Sequence, residues 1–100
     1  MSKILTDVDK FVNITSEMKS IYEIKNKNYG SSFSEQFREY GLTSVCIRLD
    51  DKIRRLKSIN KQLQNGTVNM DDESIRDTLL DLANYSILSI IELDKIELGE

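Results

Sequence analysis

DDESIRDTLLDLANYSILSIIELDKIEL, residues 71–98, decides the fold. At about 100° per residue it puts Ile75, Leu79, Leu82, Ala83 and Ile90 on one face of a helix, with Leu80, Ile87 and Ile91 on one flank and Tyr85 on another. A helix apolar on so many sides is a buried helix. The spacing predicts one long helix running to about Leu98. It starts near Asp71 or Asp72, whose carboxylates suit both the capping position and the positive end of the helix dipole.

Moving outward, Asn65-Gly66 is a turn dipeptide. Before it, Leu42, Val45, Leu49, Ile53, Leu56, Ile59 and Leu63 line one side of a second long helix over about 43–64. Gly41 closes a short helix that carries Phe33, Phe37 and Tyr40 and is capped by Ser32 or Ser34. Leu5, Val8, Phe11, Val12, Met18, Ile21 and Tyr22 recur at helical spacing, so residues 2–26 form the first helix. The expected fold is all-α, a small bundle of three long helices and one short one in a single domain, residues 1–100. The brief link between the last two long helices makes them antiparallel neighbours.

Composition narrows the function. A folded chain of 100 residues buries only about 60–65% of its unfolded surface, so a marginal monomer or a homo-oligomer is expected. The net charge of −3 is mild and its acids and bases are interspersed, which argues against general duplex-DNA binding. With no histidine, the usual neutral base and the commonest zinc ligand are absent, and carboxylates would hold only a hard cation such as Mg²⁺. Cys46 is single and reads as a small core residue. Asp7, Asp9 and Lys10 stand where a signal peptide needs an apolar run, and no uncharged stretch could span a bilayer, so a cytoplasmic location without membrane attachment is expected.

Two polar stripes interrupt the apolar helices. Glu73, Asp77, Asp81 and Asn84 fall at i, i+4, i+8 and i+11, within one narrow stripe. Acids stacked on a buried helix lose hydration and repel one another, so they need arginines from a neighbour or a bound metal. Alternatively, Asp77 and Asp81 are a solvated edge favoured by the dipole. On the preceding helix Ser44, Arg48, Asp51, Lys52 and Arg55 share a stripe beside the apolar side, whereas Asp50, Arg54, Lys57 and Lys61 form an ordinary solvated face. Two forked guanidiniums and a lysine can hold a phosphate chain while acids hold its metal; they can equally be salt-bridge partners of those acids. The segment Lys25-Asn26-Lys27-Asn28-Tyr29-Gly30-Ser31-Ser32 offers ammonium groups, amides, a ring and backbone N–H groups, which can cradle a phosphate or stack a base and are also common loop content.

Taken in order, Tyr29-Gly30, Glu39-Tyr40-Gly41-Leu42, Ser44, Ile47-Arg48-Leu49, Asp51-Lys52, Arg55-Leu56, Asp72-Glu73-Ser74-Ile75, Asp77-Thr78-Leu79 and Asp81-Leu82-Ala83-Asn84-Tyr85 resemble the nucleotide-modification-associated domain family of the first type, common in phage genomes. The resemblance covers about residues 20–95. It implies a layout similar to the all-α nucleotide pyrophosphohydrolases of the MazG and dimeric dUTPase kind, which bind Mg²⁺ through acidic pairs on adjacent helices and cleave nucleoside triphosphates. This chain departs from that pattern twice. The Glu-x-x-Glu pair of MazG proteins is replaced by Arg48 and Asp51, and the family's Lys-x-x-Asp-Tyr-Gly loop has Asn28 at its acidic position. An amide brings no negative charge and cannot act as a base.

Three functions are consistent with these residues. In the first, Asp51, Glu73, Asp77 and Asp81 hold Mg²⁺, while Lys25, Asn28, Tyr29, Ser44, Arg48, Lys52, Arg55, Asn84 and Tyr85 bind a nucleotide whose phosphoanhydride is hydrolysed. In the second, the protein captures a nucleotide immune signal without turnover, an anti-defence role for a phage-type protein. In the third, the stripes are ion pairs within a structural helical oligomer.

Overall fold

A computed structural model describes residues 4–29 and 31–100, leaving out the side chains of 28 and 29. Four helices follow in order: α1 (Asp7–Tyr29), α2 (Ser32–Tyr40), α3 (Leu42–Gln64) and α4 (Glu73–Leu98). No strand occurs among the described residues. The chain divides into two units, Met1–Ser32 and Phe33–Glu100.

In the first unit α1 starts five residues later than its apolar spacing suggests. Thr6 and Asp9 explain the start: the Thr6 hydroxyl accepts from the Asp9 N–H at 3.1 Å, and the Asp9 carboxylate accepts from the Thr6 N–H at 3.0 Å. These reciprocal bonds satisfy donors at the N-terminal end that have no helical acceptor. Val8, Phe11 and Val12 on this helix are exposed.

In the second unit α2 contributes Phe33 and Phe37 to a core with Val45, against which Leu49, Tyr85 and Leu88 pack. Gly41 joins α2 to α3 at φ +64° and ψ −145°, a backbone region essentially restricted to glycine. Its N–H reaches the Phe37 carbonyl at 2.7 Å, while its own carbonyl accepts from the Ser44 N–H and hydroxyl. Asn65-Gly66 ends α3 as expected, with Gly66 at φ +75° and its N–H on the Leu63 carbonyl. Asp72 caps α4 by accepting from the Ser74 N–H at 2.9 Å and its hydroxyl at 2.6 Å. These bonds hold its carboxyl below the usual aspartate range.

Helices α3 and α4 pack antiparallel. Lys52 pairs with Asp81 and Arg48 reaches Tyr85, so four residues forward on α3 match four residues back on α4. Thr78 is almost wholly buried and Ser89 is buried, and each hydroxyl donates at 2.6 Å to the carbonyl one turn earlier, on Ser74 and Tyr85.

Two expectations fail here. Cys46 is exposed rather than in the core, because it follows Val45 by 100° of helical turn and Val45 already points inward. Nor is α4 buried all round: Leu79, Ile87, Ile90, Ile91, Leu93 and Ile96 are exposed, since only one side meets α3. Among the described residues no helix is long and apolar enough to cross a membrane.

Candidate functional site

Arg48 is held by several groups at once. Its position on α3 turns the side chain toward α2 and α4, where its guanidinium lies 5.5 Å from the Phe33 ring centroid and 5.3 Å from that of Tyr85. The two rings stand 5.9 Å apart and 22° from parallel. Attraction to ring faces fixes a guanidinium without neutralising it. Gln36 accepts from Nε at 2.9 Å and also from Nη2, and Nη1 donates to the Tyr85 hydroxyl at 3.3 Å. All four supporting groups are neutral.

Lys52 stands one turn further along α3, its side chain 23% exposed, with its ammonium 2.8 Å from Asp81 on α4. Gln36, Ile47, Arg48, Asp51, Lys52 and Tyr85 line a cleft of about 370 Å³ open to solvent. That is near the lower end of the range for small-ligand sites. Four of the residues expected from sequence therefore meet in one place: Arg48, Asp51, Lys52 and Tyr85, with Asp81 held at its edge through Lys52. An anion entering it would find a forked donor and an ammonium group.

Other expected residues stand elsewhere. Ser44 is buried and its hydroxyl donates to the Gly41 carbonyl at 2.8 Å, so it shapes the start of α3. Arg55 and Asp77 are exposed, Asn84 is half-buried, and none of the three lines the cleft. Lys25 belongs to α1 in the first unit; the side chains of Asn28 and Tyr29 lie outside the described residues. The acids Asp51, Glu73, Asp77 and Asp81 do not converge: among the described residues no three acids or thiols come together where they could hold a metal ion. Asp81 is already bridged by Lys52.

Sequence spacing overlooked Phe33 and Gln36 as parts of the site. Their signal was present, since Phe33 and Gln36 are three apart on one short helix and so share a face, but only the tertiary approach of α2 to α3 gives that face a cation to hold. A larger cavity of about 730 Å³ lies between α2 and the end of α4, lined by Phe37, Leu42, Leu93 and Ile96 with Glu92 in its wall. Glu92 is buried, accepts from the Ser34 hydroxyl and pairs with Lys95 at 3.1 Å. Its charge is answered from within the fold, and the cavity walls are mainly apolar.

A family model described as nucleotide modification associated domain 1 matches residues 25–93. No curated protein and no solved structure matches the chain.

Proposed function

Since the chain belongs to the nucleotide modification associated domain 1 family, we propose that it binds a nucleotide by its phosphates, in the cleft of Arg48 and Lys52. The supporting observation is the way Arg48 is held. A guanidinium fixed by an amide, a phenol and two ring faces keeps its charge for a ligand, and ordering it beforehand lowers the entropic cost of binding. The Tyr85 ring and hydroxyl add an aromatic edge to the same cleft.

The separation of the acids favours capture over hydrolysis. Metal-assisted attack on a phosphoanhydride needs carboxylates placed to hold an ion against the phosphates, whereas here Asp81 answers Lys52 and Glu73 and Asp77 are exposed and line no part of the cleft. The amide at Asn28 points the same way. Capture without turnover is how a phage-type protein would sequester a nucleotide immune signal.

The test is to incubate the pure protein with a pool of mono-, di-, tri- and cyclic nucleotides, with Mg²⁺ or with EDTA, and to follow retained and altered species by mass spectrometry. Capture expects one nucleotide class retained intact under both conditions and lost from Arg48→Ala. Mg²⁺-dependent conversion of a triphosphate to a monophosphate would show an enzyme instead. Retention of nothing would reject the phosphate site.

A further inference from the structure

Few N–H groups of Arg48 and Lys52 remain open once the fold's own bonds are made. A guanidinium carries five of them. Among the described residues three on Arg48 are engaged: Nε and Nη2 donate to the Gln36 amide oxygen, and Nη1 donates to the Tyr85 hydroxyl. One N–H is left on each terminal nitrogen, a pair suited to the two oxygens of a single phosphate. The Lys52 ammonium has three N–H groups and spends one on Asp81 at 2.8 Å, so two remain. That set is enough for one phosphorus with two free oxygens and too small for a polyphosphate chain.

The charges point the same way. Arg48 and Lys52 are positive, while Asp51 in the same lining and Asp81 on Lys52 are negative, so the four formal charges cancel. Each charge that an anion brings beyond the first meets the two acids with no further cation in the lining to offset it. A phosphate monoester carries about −1.5 to −2 and three oxygens that accept hydrogen bonds. A triphosphate has more of both. A diester carries a single charge per phosphorus and only two free oxygens. We infer, resting on the phosphate reading of this cleft, that it selects a nucleotide whose phosphate is a diester over mono- and triphosphates. The diester is either closed on its own sugar, as in a cyclic nucleotide, or joins two nucleosides.

Calorimetric titration of the full chain tests this. For each of the common bases it compares the cyclic mononucleotide, the monophosphate and the triphosphate, with the linear dinucleoside monophosphate alongside, in EDTA and again in Mg²⁺. A diester is expected to bind about tenfold or more tighter than the mono- and triphosphate of the same base. Preference between the cyclic and the linear form tells ring from strand, and either one supports the selection. A monophosphate or triphosphate that binds as tightly as the diesters overturns the selection and leaves the phosphate site standing. If none of the probes binds, the site itself is rejected and the selection with it. Asp51→Asn gives a second readout. It removes one acid and none of the four donors, at an exposed position where the fold persists and circular dichroism verifies it. A dianion gains more from that loss than a monoanion does, so the advantage of the diester over the monophosphate is expected to shrink about two- to fivefold. An advantage that Asp51→Asn leaves unchanged means that charge balance does not choose the ligand, which overturns the inference as well.

Discussion

A phosphate would gain from Arg48 both charge and shape, because the guanidinium is already fixed by Gln36 and flanked by Phe33 and Tyr85. Arg48→Ala is expected to weaken binding of the retained nucleotide by about ten- to a hundredfold, the worth of roughly 1.5–3 kcal/mol for a charge-assisted contact. Arg48→Lys recovers only part of it, since an ammonium group lacks the fork and the flat face. Arg55→Ala, outside the cleft, serves as the control and should leave affinity nearly unchanged; titration calorimetry reads all three. Asp81 gives the opposite sign. It competes with the ligand for Lys52, so Asp81→Asn should tighten nucleotide binding while costing about 1 kcal/mol of stability or less, as expected for a half-exposed pair. A metal-ligand role for Asp81 requires binding to fall instead. At this scale the sequence placed Arg48, Asp51 and Lys52 on one stripe, because residues three and four apart share a helix face whatever the tertiary structure, while Tyr85 joins them only through the packing of α4 on α3. It could not show that Arg48 rests on rings rather than acids, which depends on α2.

The elements were more legible than the site. Both ends of α4 follow from local chemistry, an aspartate cap at Asp72 and a glycine at position 99 with φ +75°, and Asn65-Gly66 fixes the reversal that brings α3 against α4. The start of α1 was missed because the Thr6–Asp9 capping pair outweighs an apolar pattern that extends beyond it. The exposure of α4 was missed because helical periodicity shows which faces are apolar and says nothing of how many neighbours exist to cover them. Gly41 is where two elements depend on one backbone conformation. Nothing lies within 4 Å of a Cβ added there, so Gly41→Ala has no clash to relieve and its cost is purely conformational. At φ +64° and ψ −145° that cost is expected to be about 1–3 kcal/mol, read as a lower midpoint in urea with an unchanged slope. A changed slope would mean that α2 detaches before the rest unfolds.

Across the second unit, one buried carboxylate joins distant parts of the chain and contributes to how its stability responds to acid. Glu92 accepts from the Ser34 hydroxyl across 58 positions of sequence, and Lys95 lies 3.1 Å away. The hydroxyl bond, then the Lys95 ammonium and the nearby Arg38 charge, hold the Glu92 carboxyl below the usual glutamate range, overcoming the burial that pushes it up. Because its folded value lies below the unfolded one, the unfolded chain takes up the proton first. The stabilisation is therefore fully present above the ordinary glutamate value, about 4.3, and is lost as pH falls through the lower folded value. Thermal melts of the wild type from pH 7 down to about pH 3 should show this loss below about pH 4.5, superposed on that of other acids. Glu92→Gln keeps an acceptor for Ser34 but carries no charge, so it should lower the melting temperature at pH 7 and flatten that acid limb. Ser34→Ala removes the donor and raises the carboxyl toward its ordinary value, giving the same flattening with the charge still in place. If both variants kept the wild-type slope between pH 5 and 3, the Ser34–Glu92 bond would not be what ties α2 to the end of α4 in solution.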